Sequence, residues 1–361
     1  MGKQRVLIQD IADSLNLSRT TVSKVLNGNA SVSEANRKRV LQKAAELNYK
    51  QFTFLSSPLE ASPQVPTHPK NNSISGNIAF LFHKAPDRYH VASPLLVTFE
   101  QEIRKEGYTL SIYTVGNEEI ASMKLPSTFD EGSIDAILCV ELFDESYVRL
   151  LCDLGKPILF VDSYHTIVKD NLKADILLME NKDSLSEMVK NIIMANGFSH
   201  VGFVGAFNHC LSFYERWMGF CSALLDCDIL LNKSSCIISE DDPQYFDKQW
   251  LINRLKTIDP FPELFVCAND ALAMQLILCL KELNISVPSD VMVTGFDNSP
   301  VSPLITPPLT TVDINTTDMG KMAARQIISR IANPALPYSR LYLQTQVLFR
   351  ESASVMSKEW Q

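Results

Sequence analysis

IQDIADSLNLSRTTVSKVLN, residues 8 to 27, reads as two short helices joined by a tight turn. Ile8, Ile11, Ala12 and Leu15 recur on one helical face. Leu17 follows the turn, and Val22, Val25 and Leu26 repeat the inward spacing on the second helix. Asn16 stands where the turn needs a residue that tolerates positive φ. Ser18 is a natural N-cap, because its hydroxyl can accept from an N–H that the first helical turn leaves unpaired. Arg19, Thr20, Ser23, Lys24 and Asn27 are left pointing outward. A short helix with long donors in its first turn suits the major groove of double-stranded DNA.

Charge follows the same division. Residues 1–50 hold nine Lys and Arg against four Asp and Glu, a net of +5, while the whole chain is −8. The other 311 residues therefore carry −13. A small basic head on a large acidic body suits a nucleic-acid-binding unit joined to one that stays off the polyanion. A third helix is expected from Ser33, a second N-cap, to about Leu47. Val40, Leu41, Ala44 and Leu47 would close a three-helix core, and Arg37, Lys38 and Arg39 are either a solvated face or phosphate contacts.

Beyond the head, residues 56–76 carry Pro58, Pro63, Pro66 and Pro69, which forbid a continuous helix and favour extended chain. From Asn77 short apolar runs alternate with amphipathic stretches. NIAFLF (77–82), TLSIYTV (109–115), AILCV (136–140), PILFVD (157–162), ADILLM (174–179), HVGFVG (200–205), SCIIS (235–239), ELFVCAND (263–270) and VMVTGFD (291–297) read as strands. Residues 94–108, 184–197, 217–226 and 271–283 read as helices between them. Such alternation means parallel sheet with helical crossovers, here in two α/β lobes broken near residue 175.

Several functions are disfavoured by what the chain lacks. There is no GxGxxG, no phosphate-binding P-loop and no GxSxG. No apolar run follows the N-terminal basic residues, so no secretory signal is expected, and no stretch nears the ~20 apolar residues of a membrane span. The expected location is the cytoplasm. The eight cysteines form no CxxC pair and lie mostly in apolar runs, which reads as buried free thiols; His209 beside Cys210 has no second ligand pair, so neither a metal nor a cofactor is expected.

Several specific strings occur in order: CANDALAM (267–274), VPSDVMVTGFDN (287–298), PPLTTVDINTTDMGKMA (307–323) and FRES (349–352). With the head they make nearly the whole chain resemble the LacI family of bacterial transcription regulators. The resemblance implies an α/β fold: a three-helix helix-turn-helix head and a two-lobed, periplasmic-binding-protein-like core with parallel sheets. The implied domains are a head at 1–50, a Pro-rich hinge at 51–76, a core at 77–352 and a tail at 353–361. Lobe 1 would comprise about 77–175 and 311–335, and lobe 2 about 176–308 and 338–352. A homodimer would read a near-palindromic operator. No leucine heptads follow Ser352, so a coiled-coil tetramer is not expected.

The resemblance also assigns residues. Arg19 and Thr20 match the family's base-reading positions; Lys24 is a weaker reader, and Ser18, Thr21, Ser23 and Asn27 would set the helix on phosphates. In ERWMGF, Arg216 matches the effector-binding arginine. Asn269 and Asp297 match ligand contacts, although Asn269 or Asp270 serves equally well as an N-cap. Asp162 ends PILFVD and is a second-rank candidate. Phe213 and Trp217 flank Arg216 and either stack on a ligand ring or pack in the core. The expected effector is a sugar or sugar phosphate.

The chain also departs from the pattern. KQFTFLSSPLEASPQ (50–64) replaces the usual hinge helix, and Pro58 separates Leu55 from Leu59, the leucines available for a minor-groove wedge. Glu180-Asn181 stands where the family has Asp-Asn, and Phe198 replaces a common histidine. The leading reading is a ligand-responsive operator binder acting as a repressor. The alternative is a catabolite-control-type regulator modulated by a docked phosphocarrier protein. An enzyme using Asp162 and Asp297 as paired carboxylates is the remote third.

Overall fold

The structure, a computed structural model, describes residues 8–15, 17–26, 36, 39–40, 43, 76–83, 92–167, 172–239 and 243–355. It divides into two compact units, residues 1–71 and 72–361. Expectations for Asn16, Asn27, Ser33, Arg37, Lys38, Leu41, Ala44, Leu47 and the stretch 51–75, with Leu55, Pro58 and Leu59, lie outside the described residues.

In the first unit α1 spans Ile8–Leu15 and α2 spans Arg19–Leu26. Ala12, Val22 and Val25 are buried, as the helical spacing requires. The Leu17 N–H donates to Ala12 O at 3.0 Å and closes the end of α1. Ser18 Oγ accepts from the Thr21 N–H at 3.0 Å, the N-cap geometry. Asn36, Arg39, Val40 and Lys43 are helical, and Val40 is buried. Arg39 Nη2 donates to Leu15 O at 3.3 Å, so this side chain supports the last turn of α1.

The second unit begins with a six-stranded sheet. Its strands are β1 (Gly76–Phe82), β2 (Tyr108–Thr114), β3 (Ala136–Val140), β4 (Ile158–Val161), β5 (Asp175–Met179) and β10 (Arg340–Leu343). They lie in the order β10-β5-β4-β3-β1-β2, and every pairing is parallel. Alternation along β1 fixes which face meets which helix. Ile78, Phe80 and Phe82 join the core made with Leu95, Phe99 and Ile103 of α3 (Ala92–Lys105) and with Ala323, Ala324 and Ile327 of α10 (Thr316–Ala332). Ala79 and Leu81 face the other way, into a core with Tyr147, Val148 and Leu151 of α5 (Glu145–Asp153). A short helix, α4 (Asn117–Ser122), lies between β2 and β3 in sequence.

The second sheet holds β6 (Val201–Val204), β7 (Leu264–Cys267) and β8 (Met292–Thr294), again all parallel. Helices α6 (Lys182–Asn196) and α7 (Leu211–Asp226) pack on each other, as do α8 (Lys248–Leu255) and α9 (Asp270–Glu282). The antiparallel pair β9 (Thr311–Asp313) and β11 (Gln346–Leu348) attaches to this lobe through bridges Thr294–Thr310 and Asp297–Asp313. The run expected as a strand at 235–239 follows a 3-10 turn at Lys233–Ser235 and contributes only the bridge Val204–Ile237.

Strand pairing places the lobe crossings differently from the sequence expectation. Strand β5 pairs with β4, and β10 with β5, so both belong to the first sheet although the expected boundaries put most of β5 and all of β10 in lobe 2. Conversely, β9 pairs with β11 in the second lobe. The chain therefore crosses between lobes after Met179, after Asp313 and after Leu343. At the C-terminal end of α10, Arg330 Nε and Nη2 reach the two carboxylate oxygens of buried Asp175 at 2.8 Å each, and Ser339 donates to the same carboxylate. That cluster ties α10, β5 and the approach to β10 together.

Candidate functional site

In the head, Arg19, Thr20 and Lys24 are exposed on α2, and no acidic residue occupies the first turn of that helix. Ser18 and Thr21 hold each other, their hydroxyls 2.8 Å apart. Ser18 is thus already engaged as a cap, whereas Arg19, Thr20 and Lys24 present their side chains to solvent. The side chain of Ser23, like Asn27, lies outside the described residues.

In the second unit a cavity of about 390 Å³ opens where β3, β4 and β5 end and where α7 and α9 begin. Ligands of open parallel sheets bind at such carboxyl ends, and the volume suits a small molecule. Asp162, Phe213, Arg216, Asn269 and Asp297 all line it; Trp217 does not. Trp217 stacks on Phe207 at 5.5 Å and meets Phe203 edge-on at 5.3 Å, buried in the lobe core. Neighbouring residues on a helix face different ways, so flanking Arg216 in sequence carried Trp217 inward rather than into the cleft.

Arg216 is the centre of the site. Only 2% exposed, it donates from Nε to Asn181 Oδ1 at 3.0 Å and from Nη1 to Ala268 O at 2.8 Å. Nη2 lies 3.0 Å from Asp297 Oδ1, and the guanidinium carbon sits 3.8 Å from the Phe296 ring centroid. Burial pushes the Asp297 carboxyl up to about 7; Arg216 pulls against that, while Asp270 and Glu141 add to it.

Asp162 is committed elsewhere. Its Oδ2 accepts from Ser212 Oγ at 2.6 Å, and its Oδ1 from the N–H groups of Ser212 at 3.2 Å and Ser163 at 2.8 Å. Burial still raises its carboxyl above the ordinary range. A carboxylate from the end of β4 thereby caps α7 of the opposite lobe, instead of standing open to two sugar hydroxyls. Asn269 is the N-cap of α9: its Oδ1 accepts from the Leu272 N–H at 2.9 Å, leaving the amide nitrogen for a ligand. Asp270, which the sequence offered only as a cap, is buried and accepts from Thr311 Oγ1 at 2.6 Å and the Ser299 N–H at 2.7 Å.

Three further features come from the structure. Phe143, His209 and Phe213 form an aromatic rim on the cavity, with ring centroids 4.8 Å and 5.2 Å apart. Ser299 Oγ lines the cavity, buried and without a hydrogen-bond partner among the described residues. Three lining carboxylates, Glu141, Asp162 and Asp297, sit on backbone with positive φ (53°, 60° and 109°). Such backbone strain in non-glycine residues concentrates at ligand sites. Among the described residues no group of three His, Cys, Asp or Glu could hold a metal ion, and no helix is long and apolar enough to cross a membrane.

Comparison with known proteins agrees at both ends of the chain. Residues 7–51 match the family model of bacterial regulatory proteins, lacI family, and residues 193–353 match that of a periplasmic binding protein-like domain. The HTH-type transcriptional repressor PurR of Mannheimia succiniciproducens is 23% identical over 347 residues, covering 96% of this chain and 98% of that protein. The solved transcriptional regulator CelR–cellobiose complex superposes with a TM-score of 0.64 at 20% identity, covering 96% of this chain and all of that one. The lac repressor dimer bound to operator and the anti-inducer ONPF gives 0.62 at 17% identity, covering 97% and 99%.

Proposed function

We propose, from the premise that the chain is a lacI-family bacterial regulatory protein, that it is a ligand-responsive, sequence-specific repressor of transcription. One conjunction carries the reading: a basic head with Arg19, Thr20 and Lys24 exposed on one helix, in the same chain as a polar cavity at the ends of parallel strands. In this reading residues 1–50 bind DNA, 51–76 link, and 77–352 bind effector and dimerise. The protein works in the cytoplasm as a homodimer, as the lac repressor does on its operator, so two heads read two half-sites. Arg19 is bidentate to guanine O6 and N7, worth about 1–3 kcal/mol of discrimination. Thr20 and Lys24 read neighbouring bases, while Ser18, Thr21, Ser23 and Asn27 set the helix on phosphates.

The effector rests on Arg216, Asn269 and Asp297, with Phe213 against its ring. Four carboxyl groups, Glu141, Asp162, Asp270 and Asp297, line the cavity against one guanidinium, and Asp297 already engages that guanidinium at 3.0 Å. A phosphorylated ligand would meet this acidic wall with no uncommitted Lys or Arg among the described lining residues. The effector is therefore an uncharged, hydroxyl-rich small molecule, of the chemistry of a neutral sugar, rather than a sugar phosphate. No catalytic step is assigned: the hydrogen bonds of Asp162 and the ion pair of Asp297 orient lobes and ligand.

Effector binding shifts the lobes relative to one another and so changes the hold of two linked heads on DNA. The test is a screen of matched neutral sugars and their phosphates for compounds that change retention of genomic DNA fragments by the full-length protein. Neutral hits lost in Arg216→Ala are expected. Hits confined to phosphorylated compounds would refute the assignment of ligand class.

A further inference from the structure

Glu215 stands beside Arg216 in ERWMGF and belongs to no set of effector contacts, yet it lies in an unbroken chain of hydrogen bonds. Tyr342 Oη, on β10, donates to Glu215 Oε1 at 2.7 Å. Glu215 Oε2 accepts from Asn181 Nδ2 at 2.8 Å. The same Nδ2 donates to Met179 O at 2.9 Å, and Asn181 Oδ1 accepts from Arg216 Nε at 3.0 Å. Arg216 then reaches Asp297. Neighbours fix the direction of the Asn181 amide: a carbonyl and a carboxylate demand the NH₂, and a guanidinium demands the oxygen.

The location gives the chain its meaning. Asn181 sits in the first crossing between lobes, and Tyr342 immediately precedes the third. Those two crossings are also joined by Glu180, whose Oε2 accepts from the Ser184 N–H at 2.8 Å, and by Thr345, which donates to Glu180 O at 2.9 Å. The Ser184 and Thr345 hydroxyls are 2.6 Å apart. A lobe rotation must work through these crossings, and Arg216, the one guanidinium among the described residues that line the cleft, is bonded to one of them.

We propose that Glu215, with Asn181 and Tyr342, is a positioning relay that couples the orientation of the Arg216 guanidinium in the cleft to the crossings between the lobes. The relay rests on the functional reading above, in that its output is operator affinity. When a ligand draws on Arg216, the Nε bond to Asn181 tightens or loosens, and the carboxylate passes the change to β10. Networks of this kind act as units, so cutting one bond removes most of the effect of cutting a second.

The test uses full-length protein with Tyr342→Phe, Glu215→Ala, both together, and Glu215→Gln as the conservative rescue. Two readouts are taken: affinity for the duplex that the unsubstituted protein selects, and amide exchange over residues 212–218. A relay predicts that Tyr342→Phe and Glu215→Ala each shift operator affinity by at least about 5-fold, the low end of allosteric coupling. It also predicts faster exchange around Arg216, a double variant no worse than Glu215→Ala, and partial recovery in Glu215→Gln. Additive losses of thermal stability with unchanged operator affinity would assign the three residues to packing alone and overturn the proposal. If the unsubstituted protein selects no duplex, the functional reading fails, and the exchange data decide: faster exchange around Arg216 in Tyr342→Phe upholds the coupling, and exchange unchanged there overturns it.

Discussion

Arg216→Lys keeps a positive charge beside Asp297 and removes the planar fork. In the structure that fork serves three acceptors, Asn181 Oδ1, Ala268 O and Asp297 Oδ1, with its carbon 3.8 Å from the Phe296 ring centroid. A lysine ammonium placed for Asp297 reaches neither of the other two. Ala268 O loses its bond, and Asn181 keeps only its donor side. Each buried acceptor left unpaired costs about 1–3 kcal/mol, and the lost stacking costs up to about 2 more. The expected destabilisation is roughly 2–8 kcal/mol, a fall in apparent Tm of at least about 4 °C for a core of this size. Arg149→Lys is the control: Arg149 forms an exposed i,i+4 pair with Glu145, lysine keeps the charge, and the replacement is expected to change stability little. The assay is thermal unfolding of both variants at one protein concentration, followed by circular dichroism. If Arg216→Lys unfolds within about 1 °C of the parent, the guanidinium is not the framework of the cleft, and both the ligand assignment and the relay lose their anchor.

Arg330→Met leaves Asp175 buried without its guanidinium and should cost about 3–5 kcal/mol, whereas adding Asp175→Leu should recover much of it, as apolar replacement of buried pairs often does; chemical denaturation midpoints of the two variants decide this. The Asp297 carboxyl sits near 7 when folded against about 3.9 when unfolded, so the folded state favours its proton. The stability this group contributes is complete below about pH 4 and is lost as pH rises from there through about 7, and Asp297→Asn should flatten the fall between about pH 4 and 7 in thermal melts. Arg19→Ala should weaken binding to a selected duplex by about 1–3 kcal/mol while binding to random duplex changes little; equal loss on both would make Arg19 a phosphate contact.

Legibility in the sequence tracked how local the determining interactions are. The first two helices of the head followed from Ala12, Val22 and Val25 at helical spacing, and the Ser18 cap needed only its own neighbours. The buried strands β1, β3, β4 and β7 announced themselves as apolar runs. Strands β9, β10 and β11, of three or four residues, carry too little periodicity to read, and their partners lie far away in sequence. The lobe boundaries were missed for the same reason, since only pairing with β4 shows that β5 belongs to the first sheet. Within the cleft, Arg216, Asn269 and Asp297 were found through the family resemblance. Asp162 was found as a strand-end carboxylate, but its commitment to Ser212, fifty residues on, was not. For Trp217 the sequence left stacking on a ligand and core packing open, and its contacts with Phe203 and Phe207 are those of the core. Glu215 was overlooked because its partners, Asn181 and Tyr342, come from two separate crossings.

Glu180 shows how a departure from the family pattern is accommodated. Its carboxylate accepts from the Asp183 N–H at 2.6 Å and the Ser184 N–H at 2.8 Å, capping the first turn of α6. The longer side chain thus satisfies the helix start from the crossing strand itself. Asn181, next to it, is left free to face Glu215 and Arg216.

The central claim is that this chain reads DNA sequence through paired heads. Selection of bound duplexes from a randomised pool by the purified full-length protein, at physiological salt, tests it most directly. An enriched two-fold-symmetric site with a guanine in each half, lost in Arg19→Ala, is expected. Binding that is salt-sensitive and enriches no sequence would contradict it.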